Sequence, residues 1–213
     1  MARRSASKEM NKWYDLIARV YDQFSTRTYK QSRQSLVEKL ELKSGDNVLQ
    51  IGCGTGLSFS LIKDKIGAKG ILIGLDVSRN MLAQAEKKIS KHGWQNIHLI
   101  HADAQTLSAE LIREHFGEDI IIDHAVGELA FSVMDDWRLI MQNSLGLIKH
   151  GGKLGVLDGY RPKKDWINSV LNTLPQSDIS RPISDYLCEL TQDCSVEYFG
   201  RTKIVFIATG TKP

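Results

Sequence analysis

Between residues 7 and 26 the apolar side chains fall at Met10, Trp13, Tyr14, Ile17, Val20, Tyr21 and Phe24. Steps of three and four place them on one face of a helix. Tyr29 to Leu40 predicts a second helix through Leu36, Val37 and Leu40, ending before the turn-like Lys43-Ser44-Gly45-Asp46. The pattern then changes. Asn47 to Ile51 is a short apolar run that stops at a glycine cluster, and beyond it short apolar runs alternate with helical spacing. Strands are predicted over 71–75, 97–100, 119–126 and 153–157, with helices over 80–92, 108–115 and 137–148 between them. This alternation predicts a parallel sheet with helices on both faces. The last fifty residues break the rhythm: a helix over 165–174, a loop over 175–182 and a helix over 183–190. Two β-rich runs follow, 194–199 and 203–209, around Gly200-Arg201-Thr202. That hairpin predicts that the sheet finishes with an antiparallel strand.

Composition narrows the class without naming a chemistry. A chain of 213 residues is one domain, or one with a modest appendage. With 42% apolar and 25% charged residues it is not a disordered chain. A formal charge of +3 makes no case for nucleic acid as a partner. Three cysteines (Cys53, Cys188, Cys194) without a CxxC spacing argue against a disulfide framework and a zinc site. Cys188 and Cys194 are expected as small packing residues, and the chain as a cytoplasmic one. No apolar run approaches the ~18 residues of a membrane span. The basic start (Arg3, Arg4, Lys8) lacks the apolar stretch of a signal peptide.

The chemistry concentrates at three consecutive strand ends. Val48-Leu49-Gln50-Ile51-Gly52-Cys53-Gly54-Thr55-Gly56-Leu57 sits where the first parallel strand turns into its helix. In open α/β sheets ligands bind at that edge. Glycines let the backbone turn sharply and approach a ligand closely. The spacing is GxGxG; the dinucleotide pattern GxGxxG fails because its last position is Leu57. Asp76 ends the second strand about twenty residues past the last glycine, where a carboxylate accepts from both hydroxyls of an adenosine ribose. Asp103, in His101-Ala102-Asp103-Ala104, puts a second carboxylate beside the same cleft, suited to an adenine amino group.

With these residues the chain resembles the class I S-adenosylmethionine-dependent methyltransferases. The resemblance is carried by VLQIGCGTG, GLDVS with Asp76, HADA with Asp103, IIIDHAVGELAFSVMDDW and HGGKLGVLD. Within that class YDLIARVYD, GWQNIHLIHADA and FSVMDDW are most similar to the group that methylates quinone precursors and phosphatidylethanolamine-type lipid amines. The resemblance implies a Rossmann-like sheet of seven strands, six parallel and the last antiparallel. It also implies residues 1–37 as a helical lid on a methyltransferase domain of residues 38–213. The cofactor implied is S-adenosylmethionine, released as S-adenosylhomocysteine. Gln50, Gly52, Cys53, Gly54, Thr55 and Gly56 would border its methionine part. Asp76 would hold the ribose, Val77 and Met81 would pack near the adenine, and Asp103 and Ala104 would face the ring. Gly127 would border cofactor and acceptor. Tyr21 would reach the methionine part from the lid. Many members of the class carry Asp or Glu where this chain has Gln50.

Methyl transfer from a sulfonium is an in-line displacement with a good leaving group, so alignment is the main demand on the protein. Where the nucleophile must lose a proton, the candidate bases are Glu128, at the end of the fourth strand, and His124, with Asp158 behind them. The acceptor expected is a small molecule or lipid, quinone-like or a phospholipid amine. The N-terminal aromatic face also offers a peripheral contact with a membrane. Two rivals remain open: an NAD(P)-dependent oxidoreductase, and an inactive protein that keeps the cofactor pocket.

Overall fold

The computed structural model describes residues 28–161, 178–200 and 202–213. The first described element is a helix over 28–39, α1. Then come β1 (Val48–Ile51), α2 (Phe59–Ile66), β2 (Leu72–Asp76), α3 (Arg79–His92) and β3 (Ile97–His101). A 3₁₀ turn (Ala104–Thr106), α4 (Ala109–Phe116), β4 (His124–Glu128), α5 (Trp137–Leu147) and β5 (Lys153–Gly159) follow. The chain closes with α6 (Ile183–Leu190), β6 (Gln192–Phe199) and β7 (Val205–Thr211).

The seven strands lie in the order β3-β2-β1-β4-β5-β7-β6. β1 to β5 are parallel to one another, and β7 runs antiparallel to both β5 and β6. Six strands therefore point one way and one the other, the Rossmann-like arrangement expected. Strand order reverses between β1 and β4, which makes their carboxyl ends the topological switch point.

Alternation along the strands builds two cores. Leu49 and Ile51 of β1, Leu154 and Val156 of β5, and Phe206 and Ala208 of β7 face one side, with Ile112 of α4, Ile140, Met141 and Leu145 of α5, and Ile183 and Leu187 of α6. Val48, Val126, Leu157 and Ile207 face the other, against Leu36, Val37 and Leu40 of α1, Phe59 and Ile62 of α2, and Leu82 and Ala85 of α3. Period-two strands under period-3.6 helices give three layers. Helix ends follow local chemistry. Ser78 and Ser108 cap α3 and α4 by accepting from Met81 N and Leu111 N, at 3.2 Å each, and left-handed Gly93 and Gly117 close them.

Three expectations change. The fourth strand, expected over 119–126, pairs only from His124 to Glu128. Ile121 is 69% exposed, and Ile122 makes only an isolated bridge to Ile148. The isoleucine run thus leads the chain into the sheet rather than forming it. A lid boundary between residues 37 and 38 falls inside α1, whose Leu36 and Val37, with Leu40 just beyond its end, are part of the core. Cys188 and Cys194 are not separate packing residues: they form a disulfide across the turn between α6 and β6. Six residues of separation hid that pairing, because α6 must end and reverse into β6 before the two side chains meet. The helix expected over residues 7–26, with Tyr21, lies outside the described residues, as does the one over 165–174.

Candidate functional site

The glycine loop turns three times through left-handed backbone, with φ of +62° at Gly52, +55° at Gly54 and +73° at Gly56. Each glycine also answers to its surroundings. A Cβ on Gly52 would stand 3.0 Å from Ala130 Cβ, and one on Gly56 would run into the Phe59 ring at 2.5 Å. A Cβ on Gly54 would meet none of the described residues within 4 Å. Gly54 is therefore the open position of the loop, and its N–H donates to Asp76 Oδ2 at 2.8 Å. Asp76 Oδ1 accepts from Ser78 N at 2.8 Å, so this carboxylate ties the glycine loop to the start of α3. Burial raises the Asp76 pKa, opposed by the Ser78, Gly54 and Val77 N–H groups.

Beside Asp76 lies a cleft of about 580 Å³, part of it open to solvent. Gly52, Leu75, Asp76 and Val77 form one wall, and Asp103, Ala104 and Gln105 continue it along the end of β3. Met134, Asp135 and Ile140 close the far side. Asp103 caps the 3₁₀ turn by accepting from Gln105 N at 3.0 Å and is otherwise exposed. Among the described residues three carboxylates line the cleft, and no lysine or arginine does. A cationic ligand is favoured there by Coulomb attraction and a polyanionic one is opposed.

The far wall is braced from a distance. Asp158, buried at the end of β5, accepts from Ser132 N at 3.0 Å and Gly159 N at 2.8 Å; burial pushes its pKa up. Arg181 donates to the carbonyls of Phe131 and Met134, and Asp178 N donates to Ser132 O. The turn over 131–134 is thus stapled by the segment that leads into α6.

A second polar group sits beneath α1. Glu128 ends β4, and its Oε2 accepts from Arg33 Nε at 2.9 Å and from Ser58 Oγ at 2.7 Å. The Arg33 and Glu128 side chains are 5% and 6% exposed, so this is a buried ion pair. Leu129, next in the chain, holds φ of +53°, a strained conformation for a branched side chain. Glu128 Oε1 is buried and has no hydrogen-bond partner among the described residues, and the same is true of Gln50 Oε1.

The structure brings together Gly52, Gly54, Asp76, Val77, Asp103 and Ala104 at one edge, with Gln50 and Glu128 beside the loop. Other residues expected at the ligand take different places. The Cys53 thiol is buried in the core under α2 and α3, and burial raises its pKa well above the usual value. Thr55 is buried against Lys88 Nζ of α3, which donates to its carbonyl at 2.8 Å. Met81 is buried in the first turn of α3. A Cβ on Gly127 would stand 2.6 Å from the Phe131 ring, so that glycine serves close packing. His124 is not brought to this edge. It opens β4, four residues or ~13 Å along the strand from Glu128, where its ring accepts from Lys153 N at 3.1 Å and faces Asp46 Oδ2 at 3.4 Å. Sequence reading missed Arg33, Ser58 and the bond from Ser132 N that holds Asp158, a residue expected as a candidate base and found buried as a brace. No local motif marks Arg33, which lies 95 residues from its partner.

The residues present fit a nucleoside joined to a cationic amino acid. Asp76 and Asp103 stand where ribose and base acceptors are needed, Gly54 leaves an unfilled cradle, and two buried acceptors lack donors. Comparison with known proteins agrees. Residues 3–174 match the ubiE/COQ5 methyltransferase family. A demethylmenaquinone methyltransferase of Shouchella clausii is 27% identical over 151 residues, 71% of this chain and 60% of that protein. The chain thus spans about three-fifths of that relative's length. Among solved structures, the complex between the Haloferax volcanii Trm112 methyltransferase activator and a methyltransferase matches at a TM-score of 0.75 and 15% identity. That match covers 94% of this chain and 97% of the other. Haemonchus contortus phosphoethanolamine N-methyltransferase 2, solved with S-adenosyl-L-methionine, matches at 0.69 and 14%, covering 86% and 52%. At these identities the structures speak for the fold.

Proposed function

Since the chain belongs to the ubiE/COQ5 methyltransferase family, we propose that it transfers a methyl group from S-adenosylmethionine to a small, quinone-like acceptor. The observation that carries the cofactor is the cleft itself: Gly52 of the glycine loop, Asp76 and Asp103 in its wall, with carboxylates and no basic side chain among the described residues of the lining. A sulfonium carrying an ammonium suits that field, and a nicotinamide dinucleotide, with its pyrophosphate, does not. The demethylmenaquinone methyltransferases among the relatives support the acceptor class.

When bound, S-adenosylmethionine supplies an activated methyl group open to in-line displacement. The chain's own residues hold and orient. Asp76 keeps lone pairs beyond those used by Gly54 N and Ser78 N, and these would accept from the ribose hydroxyls. Asp103 would accept from the adenine amino group, with Val77, Ala104 and Ile140 as apolar walls. The braced turn over 131–134 would exclude water and border the acceptor. Alignment of this kind is worth ~7–11 kcal/mol of barrier, and no side chain need take a proton unless the acceptor carries one.

A phospholipid amine is the second acceptor class, favoured by the basic start and aromatic face between Met10 and Phe24. No helix among the described residues is long and apolar enough to cross a membrane. The test is calorimetric titration of the purified protein with S-adenosylhomocysteine, with NADH as control. Binding of the former, abolished in Asp76→Ala and weakened in Asp103→Ala, is the expected result. Binding of NADH alone would overturn the reading. Sedimentation with anionic vesicles at low salt then tests the membrane contact: a protein left in the supernatant would sink it.

A further inference from the structure

The Cys188–Cys194 disulfide stands where the sheet is least regular. β6 is the outer strand. Its pairing with β7 steps from Gln192–Thr211 to Ser195–Thr209, so Asp193 and Cys194 together oppose Gly210. A bulge of this kind bends the strand and re-aims a side chain. Asp193 takes left-handed backbone there, with φ of +49°. Cys188 and Cys194 are both half-buried, whereas Cys53 is buried. The bond is therefore within reach of a small thiol, and exposed disulfides are the labile ones.

The helix that this bond closes holds one side of the cleft. α6 has eight residues, and no side chain caps its first turn. A helix so short depends on what it packs against. Where the chain enters it, Arg181 donates to the carbonyls of Phe131 and Met134, and Asp178 N to Ser132 O. Along its length Tyr186 meets the edge of the Trp137 ring, with centres 5.4 Å apart, and its hydroxyl accepts from Gln142 Nε2 at 2.7 Å. At its end Thr191 Oγ1 donates to Leu187 O at 2.7 Å, and the disulfide ties the last turn to β6. Met134 and Ile140, on the far side of the cleft, belong to the turn and the helix that α6 braces.

We propose that Cys188–Cys194 is a thiol–disulfide exchange site for a small dithiol, and that its state sets how firmly α6 braces the far wall of the cleft. A thiolate of the reductant attacks Cys194 Sγ. A reductant–Cys194 bond forms, the Cys188–Cys194 bond breaks, and its electron pair leaves on Cys188 Sγ, which takes a proton. The reductant's second thiol then displaces Cys194, which is protonated in turn. The protein gains two electrons and two protons, and the dithiol becomes a cyclic disulfide. With the bond open, the last turn of α6 is released from the bulge, and the contacts at Tyr186 and Arg181 lose their fixed base. The effect on a ligand rests on the cofactor reading above; the loosening of the wall does not. A ligand that favours the braced wall must also protect the bond from reduction, by the same factor.

The experiment treats native protein with dithiothreitol and follows three readouts. Alkylation should label Cys188 and Cys194 without denaturant, with Cys53 left unlabelled. Hydrogen exchange over residues 131–140 should run about fivefold faster in the reduced protein, as local opening becomes easier. Calorimetry should find S-adenosylhomocysteine bound about fivefold more weakly by the reduced form. The double variant Cys188→Ser with Cys194→Ser should match reduced wild type and ignore dithiothreitol. Should it fail to fold, wild type with and without the reductant carries the same decision. A bond that yields only after denaturation, or equal exchange over 131–140 in both states, would overturn the proposal. Faster exchange with no S-adenosylhomocysteine bound by either form would uphold the redox site and refute the cofactor reading instead.

Discussion

Gly54 and Gly56 stand two residues apart in one loop, yet the structure predicts opposite consequences for adding a methyl group to each. Both hold left-handed backbone, φ +55° and +73°. An alanine there costs ~1–2 kcal/mol in conformational strain, partly offset by ~0.4–1 kcal/mol from a less flexible unfolded chain. For Gly54→Ala nothing further is added, because its Cβ meets no atom of the described residues within 4 Å. For Gly56→Ala the methyl lands 2.5 Å from the ring of Phe59, a fully buried side chain with no room to move. Overpacking of that kind adds ~1–3 kcal/mol. At ~2–4 °C per kcal/mol for a chain of this size, Gly54→Ala should lower Tm by about 3 °C and Gly56→Ala by roughly twice to three times as much. Ligand binding should rank the other way. The space at Gly54 adjoins Asp76 and is the cradle proposed for the cofactor, so its methyl should weaken S-adenosylhomocysteine at least tenfold, which is ~1.4 kcal/mol. Folded Gly56→Ala should bind within about threefold of wild type. Thermal melts and calorimetry on the two variants give both rankings. Wild-type affinity in Gly54→Ala would refute the cradle, and equal melting points would refute the steric argument.

Three further outcomes follow from the wider structure. Burial lowers the His124 pKa below its ordinary 6.5, against the raising influence of Asp46 and Asp123. The unfolded chain therefore binds the extra proton first as pH falls, so stability is complete above about 6.5 and is lost below it, toward the folded pKa. Melts from pH 8 to 5 should show a smaller acid loss in His124→Gln, and identical curves would argue against it. Arg181→Ala strips donors from the Phe131 and Met134 carbonyls at ~1–3 kcal/mol. Since Met134 and Asp135 line the cleft, S-adenosylhomocysteine should bind several-fold more weakly; an unchanged affinity would show that the far wall does not touch the ligand. Alkylation of denatured, unreduced protein should label Cys53 alone, with Cys188 and Cys194 protected by their bond. Reduction should then cost ~2 kcal/mol, the loop-entropy value for so short a separation, whereas three labelled thiols would show that the pair does not form.

The parallel sheet, its closing hairpin and the gathering of Gly52, Asp76 and Asp103 at one cleft were legible without coordinates. Each depends on spacing within a few residues: period two against 3.6, glycines at a strand end, a carboxylate where the next strand stops. The fourth strand was misplaced for the same reason. Ile120-Ile121-Ile122 has the composition of a strand, but pairing starts where β1 and β5 lie alongside, at His124. That shift put His124 at the start of β4 and Glu128 at its carboxyl end.

Local pattern therefore settled the fold class and pointed to the strand ends where we propose the adenosine binds, because those rest on spacing within one strand-loop-helix unit. It had no access to the polar cluster beneath α1. There α1, β1, β4 and the start of α2 meet, and Arg33 and Glu128, 95 residues apart, become a buried pair. Such partners are selected when helices pack onto the sheet, since only then are two charges desolvated together and forced to satisfy one another. The pairing of Cys188 with Cys194 has the same origin, in the reversal from α6 into β6. Neither leaves a periodic trace in the chain, because proximity in space, not spacing in sequence, creates the interaction.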